Sequence, residues 1–322
     1  MSNLFVKSLR SLARRSAAAR LALAPAIAAN RALHRRKRAI QQACYEHLRQ
    51  RLVEDPVLSI DECGSGAAFA LDVRSDIFKR LMFNGDYEVD TMRLARRLVD
   101  PKRDALDIGA NVGFFTVLLA KQLAPTGRRV LAVEPTPQAL GRLRTNVQRN
   151  GVASAVTIFE GVVSNEPGTV EFTVVVGKEE YSCLSGARHP QITGEEGQEF
   201  TVQKQAVQAS TVDELVERHQ LQPGFLKVDV EGAELMAFQG AQKTLCQHRP
   251  IILSELYAPL LARSGSSIPE VLQFFRNRDY DVVDPSAPGA ADPTFADAEM
   301  LAIPREKRAA VDLTFKLADS ET

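Results

Sequence analysis

The sequence has few cysteines, and none of them is arranged as a metal site. Its 322 residues include four, Cys44, Cys63, Cys183 and Cys246, which form no C-x-x-C pair and no spacing typical of zinc ligands. Cysteine usage of this kind favours free thiols in a reducing compartment, so we expect a cytoplasmic protein. The sequence therefore predicts no structural metal site.

Long apolar runs and an excess of charge are lacking as well. The apolar stretch at residues 21–29 is interrupted by Pro25 and is too short to span a bilayer. Basic residues precede and closely follow it, which is unlike a secretory signal. The chain carries 40 basic and 40 acidic residues, and its apolar content of 45% is typical of a soluble globular protein.

Acidic residues are absent from residues 1–45, which contain ten Lys or Arg. The remaining 277 residues carry 30 basic and 40 acidic side chains, a balance that gives no support for a nucleic-acid-binding body. Three interpretations of this basic arm stay open. It could lie as an amphipathic helix on an anionic membrane surface, direct the chain to an organelle, or form an extension that packs on the body or on a partner. The sequence does not specify an oligomeric state.

A glycine-rich turn, ALDIGANVG, is the most informative feature that the sequence does contain. An apolar strand pattern ends around Asp107. It is followed by Gly109, Asn111 and Gly113, and a helical pattern begins at Phe114. We expect the glycines to let a ligand approach the backbone, and the first amides of the helix to favour polar or anionic groups. The turn predicts a site for an adenosine-containing cofactor.

An acidic residue follows this turn at the distance that a nucleotide-binding unit requires. A second apolar strand ends in Glu134, 21 residues after Gly113, where doubly wound folds bind the ribose hydroxyls. A dinucleotide fingerprint starting at Gly109 would need glycine where Asn111 and Phe114 stand. The spacing therefore favours S-adenosylmethionine over a nicotinamide or flavin dinucleotide.

Strand and helix patterns alternate through residues 105–318, which predicts an α/β fold with a doubly wound, mostly parallel sheet. We expect the basic arm over residues 1–45, a cap over 46–104, and a candidate substrate loop or lid at 177–197. Some element predictions are specific enough to compare with the structure: a single strand at 156–163 in a hairpin with 169–176, a helix through 233–245, and closing strands at 280–283 and 311–316.

Two carboxylates and a lysine follow one another at the end of the predicted fourth core strand. Lys227, Asp229 and Glu231 should open into the same crevice as Asp107 and Glu134, because the carboxyl ends of parallel strands meet at one edge. Asp229 is the leading candidate for acid–base work or acceptor orientation, with Glu231 as its substrate or supporting partner and Lys227 to hold a carboxylate ionised. A structural ion pair at a strand–helix junction is the alternative.

Two further residues are weaker candidates. Ser164 follows the third strand and could approach the adenine ring, although a simple turn role explains it equally well. Glu255 ends the fifth strand and is a second-rank site candidate. No transferred group or acceptor follows from these residues alone.

Several segments together look like the FkbM family of S-adenosylmethionine-dependent methyltransferases. In chain order they are LDIGANVGFFT, VEPTPQALGRLRTNVQRNG, VDELVERHQLQPGFLKVDVEGAELMAFQGA and PIILSEL, within residues 85–257, and KVDVEG is the most specific of them. The resemblance implies a class I methyltransferase-like Rossmann fold and O-methylation of a hydroxyl on a sugar, glycan or natural-product-type acceptor. A non-catalytic cofactor-binding or membrane-associated assembly module is the alternative.

The same resemblance covers a G-x-Y-E-like element, matched by Gly85, Tyr87 and Glu88. The family pattern does not fix its role. Either a direct role in the site or a hairpin edge that docks onto a helix would explain it.

Overall fold

The computed structural model describes residues 17–52, 57–60, 66–85, 87–175, 182–184, 202–288 and 297–313. The predicted lid at 177–197 lies outside the described residues except for 182–184, and residues 1–16 of the basic arm lie outside them too. Among the helices in these ranges, none combines the length and apolar content that a bilayer crossing demands.

The N-terminal region consists of a long helix, a hairpin and two short helices. Their bounds are α1 Ala17–Arg51, β1 Val57–Ile60, β2 Ala67–Ala70, α2 Asp76–Asn84 and α3 Val89–Leu98. The boundary expected after residue 45 falls inside the continuous helix α1. Residues 32–40 of this helix are exposed, whereas Gln41 anchors it by donating from Nε2 to the carbonyls of Met82 and Phe83 at 3.3 and 3.0 Å.

Two asparagines, one in a helix of the body and one directly after it, bind the N-terminal hairpin. The elements here are β3 Asp104–Ile108, α4 Phe114–Leu123, β4 Val130–Glu134, α5 Pro137–Arg149 and β5 Val156–Glu160. Asn146 of α5 and Asn150, the residue that follows α5, accept from the backbone N–H groups of Ala70 and Ala68 at 2.7 and 3.0 Å. These two amides of β2 are thereby satisfied, and the hairpin is held against α5.

The third predicted strand is divided between two sheets. Its first part is β5, its last part is β6 Val162–Val163, and Gly161 separates the two. A Cβ at Gly161 would lie 2.3 Å from the Gln208 carbonyl oxygen. The remaining strands of the second sheet are β7 Gly168–Val175, β8 Cys183–Leu184 and β9 Val202–Ser210, in the order β6-β9-β7-β8. The predicted hairpin of 156–163 with 169–176 is therefore wrong, because β9 inserts between them.

The helix predicted over 233–245 is broken in two. After α6 Val212–Arg218 and β10 Pro223–Val228 come α7 Glu234–Gln239 and α8 Gln242–Gln247. The break lies at Gly240, where a Cβ would lie 2.1 Å from the Ser164 carbonyl oxygen. Asp213 uses the break to cap α8, because its carboxylate accepts from the amides of Lys243 and Thr244, both at 2.8 Å.

The closing strand differs most from expectation. The last elements are β11 Ile251–Tyr257, α9 Ala258–Arg263, α10 Ile268–Arg276, β12 Tyr280–Val283 and β13 Asp297–Pro304. The strand predicted at 311–316 is wrong for 311–313, which form no strand, and 314–316 lie outside the described residues. Instead β13 runs antiparallel between β11 and β12, with residues 300–303 fully buried.

The main sheet has the order β12-β13-β11-β10-β3-β4-β5, in which β11, β10, β3, β4 and β5 are parallel. Apolar clusters pack on both of its faces. The predicted doubly wound, mostly parallel sheet is confirmed. The order of the strands reverses between β3 and β10, so the crevice at their carboxyl ends is the expected position of a ligand site.

Candidate active site

A cleft opens at the carboxyl ends of β3 and β10. It contains about 850 Å³ of empty space, a volume that includes its opening to solvent, and it is lined by loops after β3, β4 and β10, by β6 and by the residues that precede α3. Among the described residues, no three His, Cys, Asp or Glu side chains are grouped as a metal site.

The glycines of the first turn serve internal packing. Gly109 has φ +84°, and a Cβ there would lie 1.8 Å from the Asp229 carbonyl oxygen. Gly113 has φ +92°, and its Cβ would lie 2.6 Å from Leu143 Cδ1. Gly109 lines the cleft, whereas Gly113 is not part of the lining that the described residues form. These glycines let β10 and α5 approach the turn, and this packing fixes the position of the loop.

Glu134 ties the loop after β3 to the loop after β4. Its Oε2 accepts from the Asn111 amide at 2.9 Å, and its Oε1 accepts from the amide and hydroxyl of Thr136 at 2.8 and 2.6 Å. Burial raises the pKa of Glu134, although these hydrogen bonds oppose the shift. A carboxylate oxygen has about two acceptor positions. Within the described residues Oε2 uses one, so it can accept from a ligand hydroxyl as well.

An apolar wall stands beside Glu134. It includes Val133, Val162, Val163 and Phe172, so β6 and β7 of the second sheet complete a pocket that the first sheet begins. Sequence reasoning missed this wall, because it expected β5 and β6 to be one strand. Ser164 does not contribute to the lining drawn from the described residues; its amide donates to the Ser210 carbonyl at 2.9 Å and its own carbonyl faces Gly240.

Asp107 lies beneath the cleft. Its Oδ2 accepts from the Thr116 hydroxyl at 2.5 Å, and its Oδ1 is buried without a hydrogen-bond partner among the described residues. Burial raises the pKa of Asp107, whereas the charge of Lys227 and the bond from Thr116 lower it. The charge of Asp107 acts on Lys227, which lines the cleft and is the residue opposite Asp107 on β10.

Lys227 is a buried cation under the opposite side of the cleft. Only 6% of the residue is exposed, Nζ donates to Asp229 Oδ2 at 2.8 Å, and Nζ lies 4.9 Å from the Phe115 ring centroid. Burial alone would lower the pKa of Lys227, but the carboxylates of Asp229, Glu88 and Asp107 raise it. The lysine is therefore charged, and it holds Asp229 in one orientation.

The chain turns sharply after Asp229. Because β10 ends at Val228 and Glu231 has φ +51°, the segment is not extended, and the condition for placing Asp229 and Glu231 on one side of a strand fails. Both residues nevertheless line the cleft. Glu234 stabilises the turn, since its Oε1 accepts from the amides of Val230 and Gly232 at 3.2 and 3.1 Å.

Tyr87 and Glu88 of the G-x-Y-E-like element also line the cleft, next to Lys227 and Asp229. Gly85 does something else: it ends α2 with φ +87°. Of the two roles that the sequence left open for this element, the position of Tyr87 and Glu88 is compatible with a direct one.

Two more carboxylates stand behind this group. Glu255 on β11 and Glu299 on β13 are opposite each other in the ladder, and Thr91 of α3 donates to Glu299. Partial burial, together with the charges of Asp229 and Glu88, raises the pKa of Glu255 to about 7. Burial and the charges of Glu88 and Glu255 likewise raise the pKa of Glu299 to about 7. Glu299 was missed in the sequence because its strand was misplaced.

Comparisons with known proteins bear on this site. A sequence model described as the methyltransferase FkbM domain matches residues 107–282, more than half of the chain. No curated protein matches the sequence.

Solved structures with similar chains include three methyltransferases. Methyltransferase FkbM from Methylobacillus flagellatus KT is 17% identical, with a TM-score of 0.40 over 80% of this chain and 57% of that chain. The O-methyltransferase from Bacillus cereus in complex with SAH is 14% identical, with a TM-score of 0.39 over 81% and 97% of the two chains. Precorrin-6y C5,15-methyltransferase from Geobacter metallireducens GS-15 is 16% identical, with a TM-score of 0.38 over 67% and 87%.

The chain thus spans little more than half the length of the Methylobacillus protein. Identities and TM-scores are low throughout. Family membership therefore rests on the sequence match.

Proposed function

The chain belongs to the FkbM family of S-adenosylmethionine-dependent methyltransferases, and from that premise we propose that it is an O-methyltransferase. The acceptor in this proposal is a hydroxyl on a sugar, a glycan or a natural-product-type molecule. The proposal rests on one observation: Glu134 and the Lys227–Asp229 ion pair line the same cleft.

The residues on the Glu134 side fit the methyl donor. Glu134 retains acceptor capacity for a ribose hydroxyl, Gly109 and Asn111 present a polar loop, and the wall around Phe172 suits a flat apolar ring. When bound, S-adenosylmethionine supplies a methyl group on a positively charged sulfur. We propose that Asn111 and Glu134 hold it, while Asp107 supports the site from below and Ser164 has no direct contact.

Asp229 orients the acceptor in this proposal. The ion pair with Lys227 fixes the Asp229 carboxylate at the cleft wall, with 27% of its side chain exposed, so it can accept a hydrogen bond from an acceptor hydroxyl. Glu231 lies two residues further on and offers a second carboxylate to the same molecule.

Calorimetry tests the cofactor assignment first. We expect S-adenosylmethionine to bind and NAD not to bind. Binding of NAD in place of S-adenosylmethionine would overturn the assignment.

Radiolabelled donor then tests methyl transfer. The protein is incubated with methyl-labelled S-adenosylmethionine and with fractionated glycan, lipid and small-molecule extracts, and label in a hydroxyl-bearing product supports O-methylation. Label recovered on nitrogen or carbon would contradict it. Donor binding with no labelled product in any fraction would favour a binding module.

A further inference from the structure

Glu88 has an unusual backbone conformation at the cleft. It precedes α3 with φ 51° and ψ 32°, the left-handed region, and its side chain makes no capping hydrogen bond to that helix in the described structure. A helix start normally uses the side chain of this residue to satisfy an orphan amide. Here the carboxylate faces the cleft instead.

Left-handed residues other than glycine are concentrated at this cleft. Within the described ranges they number six, and three of these, Glu88, Asn111 and Glu231, line it. Such conformations cost free energy and persist where the surrounding structure imposes them, which is most often at functional sites. Asn111 and Glu231 belong to the segments already assigned to the site, so Glu88 is the one that still lacks a role.

The two carboxylates beside the acceptor position differ in their partners. Asp229 is paired with the Lys227 ammonium, whose Nζ lies 2.8 Å from its Oδ2. Glu88 has a hydrogen bond from the Tyr87 hydroxyl, a neutral donor. Because Asp229 is held by a cation and Glu88 is bonded by a neutral hydroxyl, Glu88 is the candidate to accept a proton.

Charges around Glu88 act in both directions. Burial and the charge of Asp229 raise its pKa, whereas Lys227, the Tyr87 hydroxyl and Arg80 lower it, and the net shift is upward. Arg80 of α2, Tyr87 before α3, and Lys227 and Asp229 of the β10 segment act on Glu88. Glu88 in turn raises the pKa of Glu255 on β11 and of Glu299 on β13.

We propose that Glu88 is the catalytic base that removes the proton from the acceptor hydroxyl, a role that rests on the O-methylation proposed above. The acceptor oxygen forms a bond to the methyl carbon, the carbon–sulfur bond breaks, and its electron pair stays on sulfur. The hydroxyl proton passes to the Glu88 carboxylate and from there to solvent. Asp229 stays bound to Lys227 throughout and orients the acceptor.

Glu88→Gln tests this role against Asp90→Asn, a neutralised carboxylate on the same helix that is not in the cleft lining. With labelled donor and the extract fraction that the wild type methylates, we expect kcat of Glu88→Gln to fall by roughly 10²- to 10⁴-fold, the usual contribution of a general base. Donor affinity by calorimetry should stay the same in both variants. Turnover by Glu88→Gln equal to that of Asp90→Asn would overturn the role.

Tyr87→Phe provides a second test that does not depend on how Glu88→Gln folds. Its ring keeps the same shape but loses the hydroxyl that lowers the pKa of Glu88, so the rising limb of the pH–kcat profile should move to higher pH. An unmoved limb would contradict the assignment. If the wild type labels no fraction at all, O-methylation itself has failed; if it labels a fraction and neither variant departs from it, only the role of Glu88 is lost.

Discussion

The two sides of the cleft differ in how the fold brings their residues together. The half proposed to bind the donor, here called the donor half, consists of Gly109, Asn111 and Glu134; it comes from neighbouring loops of one β-α-β unit, and its carboxylate is bound by backbone amides. The half proposed to bind the acceptor, here called the acceptor half, consists of Glu88, Lys227 and Asp229; it comes from distant segments, and several carboxylates act on its buried cation.

This difference affects the position of the donor half and the pKa values of the acceptor half. Hydrogen bonds to Glu134 are made within the fold and hold the donor half in place. The charge of Glu88 raises the pKa of Glu255, and the charges of Glu88 and Glu255 raise the pKa of Glu299, so these pKa values depend on how the segments are assembled. Local bonds give the donor half its geometry, whereas tertiary packing tunes the chemistry of the acceptor half.

The largest effect should come from breaking the acceptor half at Asp229. Asp229→Asn keeps the shape but removes the charge that pairs with Lys227, so we expect turnover to fall by roughly 10³-fold or more while calorimetry shows unchanged donor binding. The exposed Asp279→Asn is the matched control, since the Asp279 carboxylate forms a surface ion pair with Arg305. Turnover near the wild-type rate in Asp229→Asn would remove Asp229 from the site.

Gly109→Ala should disrupt the donor half at its backbone. The new Cβ would meet the Asp229 carbonyl at 1.8 Å in a left-handed conformation, so we expect the free energy of unfolding to fall by about 3 kcal/mol in urea titrations. Gly127→Ala separates the two causes, because Gly127 has φ +72° with open space around it. That control should lose only about 1 kcal/mol, and equal losses would show that the close approach to β10 is unimportant.

Glu134→Gln tests the hydrogen bonds of the donor half. The amide group of Gln would face one of the backbone N–H donors that the carboxylate accepts, so the loops should separate and donor affinity should fall by about tenfold in calorimetry. Glu160→Gln is the control, because Glu160 is the exposed register partner of Glu134 on β5. Equal affinities for the two variants would argue against a ribose contact at Glu134.

The smallest effect should be a pH-dependent change of stability at Glu299. Its pKa is raised from 4.5 to about 7 in the folded state, so folding binds a proton, and this stabilisation is lost as the pH rises from about 4.5 through 7. Glu299→Gln should therefore be more stable than the wild type at pH 8, by about 1 kcal/mol after screening by solvent, and should lose this advantage near pH 4.

Glu306 provides a comparison, because its pKa is shifted in the opposite direction. Its hydrogen bond from Arg249 lowers its pKa to about 2, so its contribution is present above the normal Glu range and is lost in acid. Thermal melts of Glu299→Gln and Glu306→Gln at pH 4 and 8 should move in opposite directions. Parallel shifts would mean that Glu299 does not experience the carboxylates around it.

Much of the donor half could be predicted from sequence because its determinants are close together in the chain. Glu134 follows Gly113 at a spacing that the β-α-β unit imposes, and Asn111 and Phe114 stand where a dinucleotide fingerprint needs glycine, which favours the methyl donor. Even there the packing reason for Gly109 was not visible, since Asp229 stands 120 residues away.

The acceptor half was predicted only in part. Lys227 and Asp229 form their ion pair within three residues, so the sequence pattern was sufficient to propose it. Glu299 depends on β13 inserting between β11 and β12, and sequence reasoning placed the closing strand elsewhere. The role of Glu88 stayed open because an isolated G-x-Y-E-like element does not say which way its carboxylate faces.

By itself, the sequence determined the family, through the resemblance of several segments to known members. Local periodicity and fixed spacings determined the doubly wound sheet and the acidic residue at the end of β4. Tertiary structure alone decided that Glu88, Glu255 and Glu299 share the field of Lys227 and that β6 and β7 complete the apolar wall. The physical reason is that pKa values and cleft shape depend on burial and on charges from remote segments, which meet only when the chain is folded.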